Sequence, residues 1–286
     1  MTSPALPAPA TWLPLVERAL AEDLGSGDAT GTAVLDADAS CDAVIEARER
    51  IVVCGLPVAV AVLEAVDPQL RTETLRPEGA FAEAGTPLLA LAGRVRSVLA
   101  AERTALNFLG RLCGVATHTR RYVDAVAGTG VEILDTRKTL PGWRVLDKYA
   151  VAVGGGRNHR FGLYDALLIK DNHVAAAGGV AAAVKAARAS APSHLMLQVE
   201  VESEEQAAEA IEAGARWLLL DNRTPAELRR LAERFREQAV LEASGGITLE
   251  NVRAVAESGV QRISVGALTH SAPGADVSLE IAGSDA

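Results

Sequence analysis

Residues 196–221 read MLQVEVESEEQAAEAIEAGARWLLLD, and this stretch decides the fold class. A short apolar strand leads to Ser203, a typical helix N-cap, then to a helix that ends before Gly214, and then to a second apolar strand. Strands that are apolar along their whole length and are separated by helices are typical of parallel strands buried on both faces. The stretch therefore predicts a strand–helix–strand unit of an α/β sheet.

The same pattern extends in both directions along the chain. Residues 248–259 repeat it, with Thr248 in the position of Ser203 and Gly259 in that of Gly214. Apolar strands are predicted at residues 131–134, 166–169, 196–201, 217–220, 239–243 and 262–265, and helices at 142–153, 175–189, 203–213, 225–236 and 248–258. Such units favour an incomplete (β/α) barrel of about six or seven parallel strands. The rival is a doubly wound open sheet, but no glycine-rich nucleotide fingerprint follows the first strand.

The first third of the chain is organised differently. An amphipathic helix is predicted at residues 11–24, with Thr11 as its N-cap and Gly25 just past its end. Strands are predicted at 43–53 and 69–75 around a helix at 57–66, and a short strand with turn signals at 79–92. Residues 94–127 predict one long helix or two in tandem, with Gly110 and Gly114 as weak points. We therefore expect an N-terminal α+β domain at residues 11–115, with segment 270–286 packing with it, and an open barrel at 116–269.

The bulk composition argues against several classes of protein. A net charge of −9 disfavours a general affinity for nucleic acid or for an anionic membrane. No apolar run reaches the roughly 18 residues of a spanning helix, and the first ten residues contain three prolines and no basic region, unlike a signal peptide. Cys41, Cys54 and Cys113 have no metal-binding spacing and are typical of reduced thiols. We expect a soluble, cytoplasmic protein with no nucleic-acid or membrane partner.

Each predicted strand of the second region ends in polar, charged or glycine residues. In order, the ends are Asp135-Thr136-Arg137-Lys138, Lys170-Asp171-Asn172-His173, Glu200 with Glu202, Asp221-Asn222, Ser244-Gly245-Gly246 and Gly266. The carboxyl ends of parallel barrel strands converge on one rim, where ligands bind. One such end is no more than an ordinary polar turn, but six in succession predict a site.

The charges of this rim indicate a polyanionic ligand. Arg137, Lys138 and Lys170 follow strands, and the glycine-rich segment 154–160 adds Arg157, His159 and Arg160. Guanidinium and ammonium groups bind carboxylate and phosphate oxygens. Ser244-Gly245-Gly246 and Ser264-Val265-Gly266 offer backbone N–H groups ahead of a helix, which is one way to hold a phosphate. For each of these turns, a plain tight turn is an equally good interpretation.

Glu200 and Asp221 are the acids of the same rim. Carboxylates beside a phosphate site bind sugar hydroxyls or a metal ion, or stabilise a developing positive charge such as an oxocarbenium-like ribosyl centre. We expect both to favour the carboxylate form, because nearby positive charge does so. The alternative, a structural pair with a neighbouring Arg or Lys, has more weight for Glu202 than for Glu200.

Several motifs, in order and in spacing, resemble the quinolinate phosphoribosyltransferase family. They are GDAT at residues 27–30, AERTALN at 101–107, LDTRK at 134–138, KYAV at 148–151, GGG at 154–156, NHR at 158–160, LIKDNH at 168–173, VEVE at 199–202, LDN at 220–222, SGGI at 244–247 and SVGALTH at 264–270. The resemblance implies a type II phosphoribosyltransferase fold. It also implies transfer of phosphoribosyl from phosphoribosyl pyrophosphate to quinolinate with decarboxylation, which gives nicotinate mononucleotide, CO₂ and pyrophosphate in de novo NAD biosynthesis.

The resemblance also implies a role for each matching residue. Arg137, His159, Arg160 and Lys170 would hold the two carboxylates of quinolinate, with Arg103 lent by a partner chain. Lys138 would face phosphoribosyl pyrophosphate, with Glu200 and Asp221 at its ribose hydroxyls, so these three are the candidate catalytic residues. Thr136 is a further candidate substrate contact. The remaining candidates would cradle the 5-phosphate: Ser244, Gly245, Gly246, Ser264, Val265 and Gly266.

The implied cofactor is Mg²⁺, carried mainly by the pyrophosphate, with Glu200 and Asp221 as candidate protein ligands. The implied assembly is a homodimer or higher homo-oligomer with shared sites. Two alternatives stay open: a related transferase for another pyridine or aromatic acid such as nicotinate, and a non-catalytic barrel that senses a phosphorylated ligand. The cations are numerous enough to bind two carboxylates, which argues against a substrate with only one. The presence of both Glu200 and Asp221 argues against a non-catalytic sensor.

Overall fold

The structure is a computed structural model, and it describes residues 4–281. The chain divides into two compact units. Within the described range, the first comprises residues 4–120, 139–155 and 271–281, and the second comprises residues 121–138 and 156–270. None of the helices in the described range is long and apolar enough to cross a membrane.

The first part of the chain contains four helices and five strands. In chain order, after a 3-10 turn at Pro9–Thr11, they are α1 (Leu13–Leu24), α2 (Ala29–Val34), β1 (Ser40–Ala47), β2 (Ile51–Val52), α3 (Leu56–Val66), β3 (Arg71–Thr74), β4 (Phe81–Ala82), β5 (Pro87–Arg94) and α4 (Val95–Ala125). The later elements are β6 (Glu132–Leu134), α5 (Arg144–Val153), β7 (Leu167–Ile169), α6 (Asp171–Ala177), α7 (Val180–Ser190), β8 (Leu197–Val201), α8 (Glu204–Glu212), β9 (Trp217–Asp221), α9 (Pro225–Phe235), β10 (Val240–Ser244), α10 (Val252–Ala256), β11 (Arg262–Ser264), α11 (Ala267–His270) and β12 (Val277–Ile281).

The first unit contains an antiparallel sheet in the order β12-β1-β5-β3. Ala43, Ile45 and Ala47 alternate as buried residues of β1, as expected for a strand with one face on a core. The predicted strand at 43–53 is two strands, because the chain bends at residues 48 and 49 and β2 pairs with β4 instead. The C-terminal strand β12 pairs with β1, with Ile281 opposite Ala43.

Two helices of the first unit differ from, or refine, the sequence-based expectation. The N-cap of α1 is Trp12, not Thr11, so that prediction is wrong. Thr11 instead closes the preceding 3-10 turn, where its hydroxyl donates to Ala8 O at 2.7 Å. α4 is one continuous helix, and Gly110 and Gly114 do not interrupt it. A Cβ on Gly110 would lie 2.9 Å from Ala275 O, so this glycine admits the close passage of another segment.

Segment 139–155 belongs to the first unit by its contacts, whereas the predicted limits place it with the barrel. Two contacts with α4 illustrate this. Arg111 of α4 forms a salt bridge of 3.0 Å with the fully buried Asp147 of α5. Phe108 stacks on Trp143, with ring centroids 4.7 Å apart.

The second unit is a six-stranded parallel sheet in the order β6-β11-β10-β9-β8-β7. Strands consecutive in sequence are neighbours except β6 and β7, and the last strand, β11, returns to pair with β6. This is the strand order of a (β/α) barrel that is open between its first two strands. The predicted fold class is confirmed. At the open edge, Arg157 forms a single parallel bridge with Leu134 of β6.

The helices of the second unit follow the predicted order with two corrections. The helix predicted at 175–189 is two helices, because Gly178 and Gly179 adopt positive φ angles of 82° and 134° between α6 and α7. Ser203 caps α8 as predicted, accepting from Gln206 N at 3.2 Å. The prediction of Thr248 as an N-cap is wrong. Its own N–H donates to Asn251 Oδ1 at 2.9 Å, and α10 starts only at Val252.

Candidate active site

A cavity of about 600 Å³ opens at the carboxyl ends of the parallel strands in the second unit. This volume is in the range of small-molecule sites. Its lining includes every residue given a substrate role except Arg103: Thr136, Arg137, Lys138, His159, Arg160, Lys170, Glu200, Asp221, Ser244, Gly245, Gly246, Ser264, Val265 and Gly266. Arg157, which was predicted among the cations of the rim, does not line the cavity. The fold therefore brings the predicted rim together within one unit.

Arg103 lies elsewhere, on α4 of the first unit. Its side chain is 65% exposed, and its guanidinium lies 3.8 Å from the carboxylate of Glu102. It is not among the residues that line the cavity.

Hydrogen bonds fix the turn that carries Arg137 and Lys138. The Thr136 hydroxyl accepts from Lys138 N at 3.0 Å, and the buried Thr269 hydroxyl donates to Lys138 O at 2.8 Å. A Cβ on Gly266 would lie 3.0 Å from Lys138 Cδ, so this glycine leaves room for the lysine stem. The two cations thus start from a backbone that is held from both sides.

Asp135 holds the segment that carries His159 and Arg160. It is fully buried, and it accepts from Asn158 Nδ2 at 2.7 Å and from His159 N at 2.8 Å. The segment therefore lies against the open edge of β6, next to Arg137. Sequence reasoning identified Asp135 only as a strand end.

Two guanidinium groups approach each other on this side of the cavity. Burial lowers the pKa of Arg160, and the positive charge of Arg137 lowers it further. Arg160 stays charged, because an arginine pKa lies far above neutrality. Like charges held close together favour an anion between them. Arg160 Nη1 also donates to Ala166 O at 3.2 Å.

Lys170 and the two acids lie on the neighbouring part of the rim. Lys170 Nζ is 3.5 Å from Glu200 Oε2. Burial raises the pKa of Glu200, and Lys170 opposes this while the charge of Asp221 adds to it. Burial and a like charge therefore outweigh the cation in setting the direction of this shift, and the ionised form of Glu200 stays a prediction. Asp221 Oδ2 accepts from Asn222 Nδ2 at 2.7 Å.

The Ser244-Gly245-Gly246 turn requires glycine. Gly245 has a φ of 83°, and a Cβ there would lie 2.2 Å from Asn222 Oδ1. Asn222 itself has a φ of 53° and donates from its backbone N–H to Ser244 O at 2.8 Å. The helix predicted to start at Thr248 starts later, since α10 begins six residues after Gly246 at Val252. Gly266, in contrast, stands immediately before α11.

Glu242 is the main lining residue that sequence reasoning missed. It is fully buried in β10, and its Oε2 accepts from Gln198 Nε2 at 3.1 Å. Burial alone would raise its pKa, but interactions with His159, and then with Gln198 and Ser264, lower it below the usual value. A signal was present, because a glutamate interrupts the otherwise apolar run at 239–243. The remaining missed lining residues are Leu168, Leu219, Ile247, Thr248, Ala267 and His270.

The acids of the cavity do not form a protein-built metal cage. Within residues 4–281, no three His, Cys, Asp or Glu side chains cluster in a way that would hold a metal ion. Glu200 and Asp221 interact across the rim. Two carboxylates suit Mg²⁺ that takes most of its oxygens from a phosphate ligand and water.

Comparison with known families gives two matches that together cover most of the chain. Residues 28–113 match the N-terminal domain of quinolinate phosphoribosyl transferase, and residues 115–280 match the C-terminal domain of the same family.

Individual relatives agree with the family match. The chain is 44% identical over 273 residues to the nicotinate-nucleotide pyrophosphorylase (carboxylating) of Mycobacterium leprae, covering 93% of this chain and 95% of that one. It is 41% identical over 260 residues to a probable enzyme of the same name from Bacillus subtilis, covering 91% and 90%. Its fold is similar to the structure of the nicotinate-nucleotide pyrophosphorylase from Francisella tularensis, with a TM-score of 0.92, 38% identity and coverage of 96% and 97%.

Proposed function

The chain belongs to the quinolinate phosphoribosyltransferase family, and on that premise we propose that the cavity of its second unit is where the family reaction takes place. The enzyme transfers phosphoribosyl from phosphoribosyl pyrophosphate to quinolinate and releases CO₂, giving nicotinate mononucleotide and pyrophosphate for NAD biosynthesis. One observation carries the proposal: a single rim combines a cationic side, suited to a dicarboxylate, with an acidic side, suited to a ribosyl cation.

The quinolinate site is proposed on the cationic side. Arg137 and Arg160 repel each other without a ligand, and a planar carboxylate matches their guanidinium geometry. Lys170 completes the set within one chain, and His159 lies next to Arg160 in the same segment. Arg103 of a second chain is proposed as a further contact.

The phosphoribosyl pyrophosphate site is proposed on the other side. Glu200 and Asp221 would accept hydrogen bonds from the ribose hydroxyls. Gly245 and Gly246 carry no side chains, so at these two positions a phosphate can approach the backbone N–H groups, with the Ser244 hydroxyl beside them. The turn at Ser264, Val265 and Gly266, against which the Lys138 stem packs, would bind the same phosphate, with Thr136 nearby.

The chemistry follows from this placement. The pyridine nitrogen attacks the anomeric carbon of ribose, the bond to pyrophosphate breaks, and the electron pair leaves with the pyrophosphate. Holding both substrates in line supplies much of the acceleration. Lys138 offsets charge on the departing pyrophosphate, and Glu200 with Asp221 stabilises the ribosyl cation. The pyridinium then accepts the electrons of the breaking carbon–carboxylate bond, CO₂ leaves, and the ring carbon takes up a proton.

Mg²⁺ is the proposed cofactor. Glu200 and Asp221 are the side chains that would contact an ion delivered with the pyrophosphate. When bound, the ion supplies positive charge that offsets the pyrophosphate oxygens.

Assembly and location are also proposals. We propose a homo-oligomer, at least a dimer, in which α4 of one chain contributes Arg103 to the cavity of another. A cytoplasmic location is supported by the three cysteines, which are all free thiols.

The placement of quinolinate is tested with Arg137→Ala. Loss of one charge-assisted contact, about 1.5–3 kcal/mol, should lower kcat/KM for quinolinate by roughly 10- to 150-fold, measured as CO₂ release that depends on phosphoribosyl pyrophosphate. Arg157→Ala is the matched control, because the Arg157 side chain is 70% exposed and lies 3.3 Å from Glu132. An unchanged constant in Arg137→Ala would remove Arg137 from the site.

A further inference from the structure

Glu242 is a buried carboxylate at an anion-binding cavity, and the chemistry described above gives it no role. Parallel pairing aligns Glu242 with Leu219 and Leu219 with Glu200, so Glu242 and Glu200 share the inner face of the sheet. Both line the cavity, but Glu242 is the fully buried one. A buried charge of the same sign as the substrate is costly unless hydrogen bonds stabilise it.

A chain of hydrogen bonds leads from Glu242 to the arginines. Glu242 Oε2 accepts from Gln198 Nε2 at 3.1 Å. The Gln198 amide is thereby turned so that its Oε1 lies 2.9 Å from His159 Nε2. At the other side of the ring, His159 Nδ1 accepts from the backbone N–H of Arg160 at 2.7 Å.

These partners select one form of the histidine. A neutral imidazole has one donor and one acceptor nitrogen. Because Nδ1 accepts from Arg160 N and Nε2 faces an amide oxygen, the proton lies on Nε2. Glu242 Oε1, 3.4 Å from the same Nε2, favours that proton too. Both ring nitrogens therefore contact the protein itself.

We propose that Glu242 is a positioning residue that acts through Gln198 and His159 to fix the backbone of Arg160 beside Arg137. The inference rests on the proposed quinolinate site, and it deepens that proposal by naming the group that organises its cationic side. Asp135 holds the same segment through a second contact, accepting from His159 N at 2.8 Å.

A carboxylate is needed because it accepts hydrogen bonds without donating any. An amide at position 242 could also donate to Gln198 Oε1, which would turn Gln198 Nε2 toward His159. His159 Nε2 would then have to accept, and its proton would move to Nδ1, against the N–H of Arg160. Glu242→Gln therefore keeps the shape of the side chain but no longer fixes which groups of the network donate and which accept hydrogen bonds.

The test combines kinetics with the tautomer of His159. In Glu242→Gln, we expect KM for quinolinate to rise by about 10-fold, the scale seen when the group that orients a metal-binding histidine is removed, with smaller changes in kcat and in KM for phosphoribosyl pyrophosphate. ¹⁵N NMR of histidine-labelled protein should show the Nε2–H form in the parent enzyme and a mixture in the variant. The His159 signal is assigned by its loss in His159→Ala.

A double-mutant cycle separates this role from general destabilisation. In a His159→Ala background, Glu242→Gln should change KM for quinolinate by less than about twofold, because its route to Arg160 is already broken. Asp67→Asn is the matched control, a buried carboxylate of the first unit that accepts from Arg94 and Ser97. It should lower stability and leave KM for quinolinate and the His159 spectrum unchanged.

An unchanged KM for quinolinate or an unchanged His159 tautomer in Glu242→Gln would overturn the inference. An equal rise in KM for quinolinate on Glu242→Gln, with and without the His159 side chain, would also overturn it. If Glu242→Gln does not fold, Gln198→Met removes the middle of the chain and must raise KM for quinolinate in the same way. If Arg137→Ala leaves KM for quinolinate unchanged as well, the proposed quinolinate site is wrong. The NMR measurement of the His159 tautomer then still tests the hydrogen-bond network independently.

Discussion

Glu200 and Asp221 share one rim, but their surroundings differ. The Glu200 side chain is 15% exposed and lies 3.5 Å from Lys170, whereas Asp221 accepts from the side chain of Asn222. Because the pKa of Glu200 is raised and Lys170 opposes the rise, the protonation of Glu200 depends on its cationic neighbour. The two acids can therefore be separated by experiment.

Lys170→Met should shift the pH dependence of the enzyme. Lys170 lowers the pKa of Glu200, so removing its charge raises that pKa further. If Glu200 acts as a carboxylate, the acid limb of the pH profile of kcat/KM for phosphoribosyl pyrophosphate should move to higher pH. This shift is expected even if the maximal kcat/KM also changes. Lys185→Met, on the exposed side of α7, is the control and should leave the limb in place. A shift to lower pH would show that Glu200 does not govern the limb.

Asp221→Asn should separate catalysis from binding. A carboxylate that stabilises the ribosyl cation more than the ground state should, when neutralised, lower kcat and kcat/KM together, on the order of 100-fold. Quinolinate binding, measured by calorimetry, should be nearly unchanged because quinolinate contacts the cationic side. A normal kcat with weakened quinolinate binding would show that Asp221 serves the other substrate.

Single residues were predictable from sequence where they follow an apolar strand. Arg137, Lys170 and Asp221 stand at strand ends, and parallel pairing brings such ends to one rim. Glu242 and Gln198 were missed because they lie inside strands, where a strand pattern offers only apolar positions. Their partners are distant in sequence, so only the folded sheet shows that each is hydrogen-bonded.

At the scale of elements, the turn after β10 is a sensitive point of the site. Gly245→Ala should lower the stability by about 1–2 kcal/mol from its positive φ alone, and the contact with Asn222 Oδ1 should add to this loss. The displaced turn should also raise KM for phosphoribosyl pyrophosphate. Chemical denaturation and steady-state kinetics check both.

Gly85→Ala is the matched control for that substitution. Gly85 has a similar φ of 78°, but nothing lies within 4 Å of a Cβ built there. The difference between the two variants reports the close approach of Asn222. Equal losses of stability, with no change in KM for either variant, would mean that the turn does not bind the substrate.

The strands of the second unit were predicted more closely than its helix ends, for a physical reason. A strand buried on both faces is mostly apolar along its length, and such a run is visible in the sequence. A helix start depends on local hydrogen bonds that compete with one another. Thr248 has the right side chain for an N-cap, but Asn251 accepts from its N–H and delays the helix. Gly178 and Gly179 were a visible signal for a break, since adjacent glycines often mark a turn, but glycine only permits a positive φ and does not require one.

At the scale of the whole molecule, the cavity is lined by one unit of one chain and lacks Arg103. The family resemblance implies that a partner supplies this residue. The sequence has no pattern that indicates the proposed assembly. The exposed guanidinium of Arg103 next to Glu102 is equally typical of a solvated helix surface. Whether Arg103 of one chain serves the cavity of another has to be tested with two different variants of the chain.

Mixing two inactive variants answers it. Arg103→Ala would spoil the site of the partner chain, and Lys138→Ala would spoil the site of its own chain. In a mixed dimer, one site would carry both defects and the other neither, so random exchange should restore about a quarter of the parent activity. Subunit exchange is verified by native mass spectrometry before CO₂ release is measured.

The control mixes Arg137→Ala with Lys138→Ala, both of which affect the chain's own cavity, and should restore no activity. If exchange is complete and the Arg103→Ala mixture also stays inactive, the site is not shared, and Arg103 acts within its own chain or not at all.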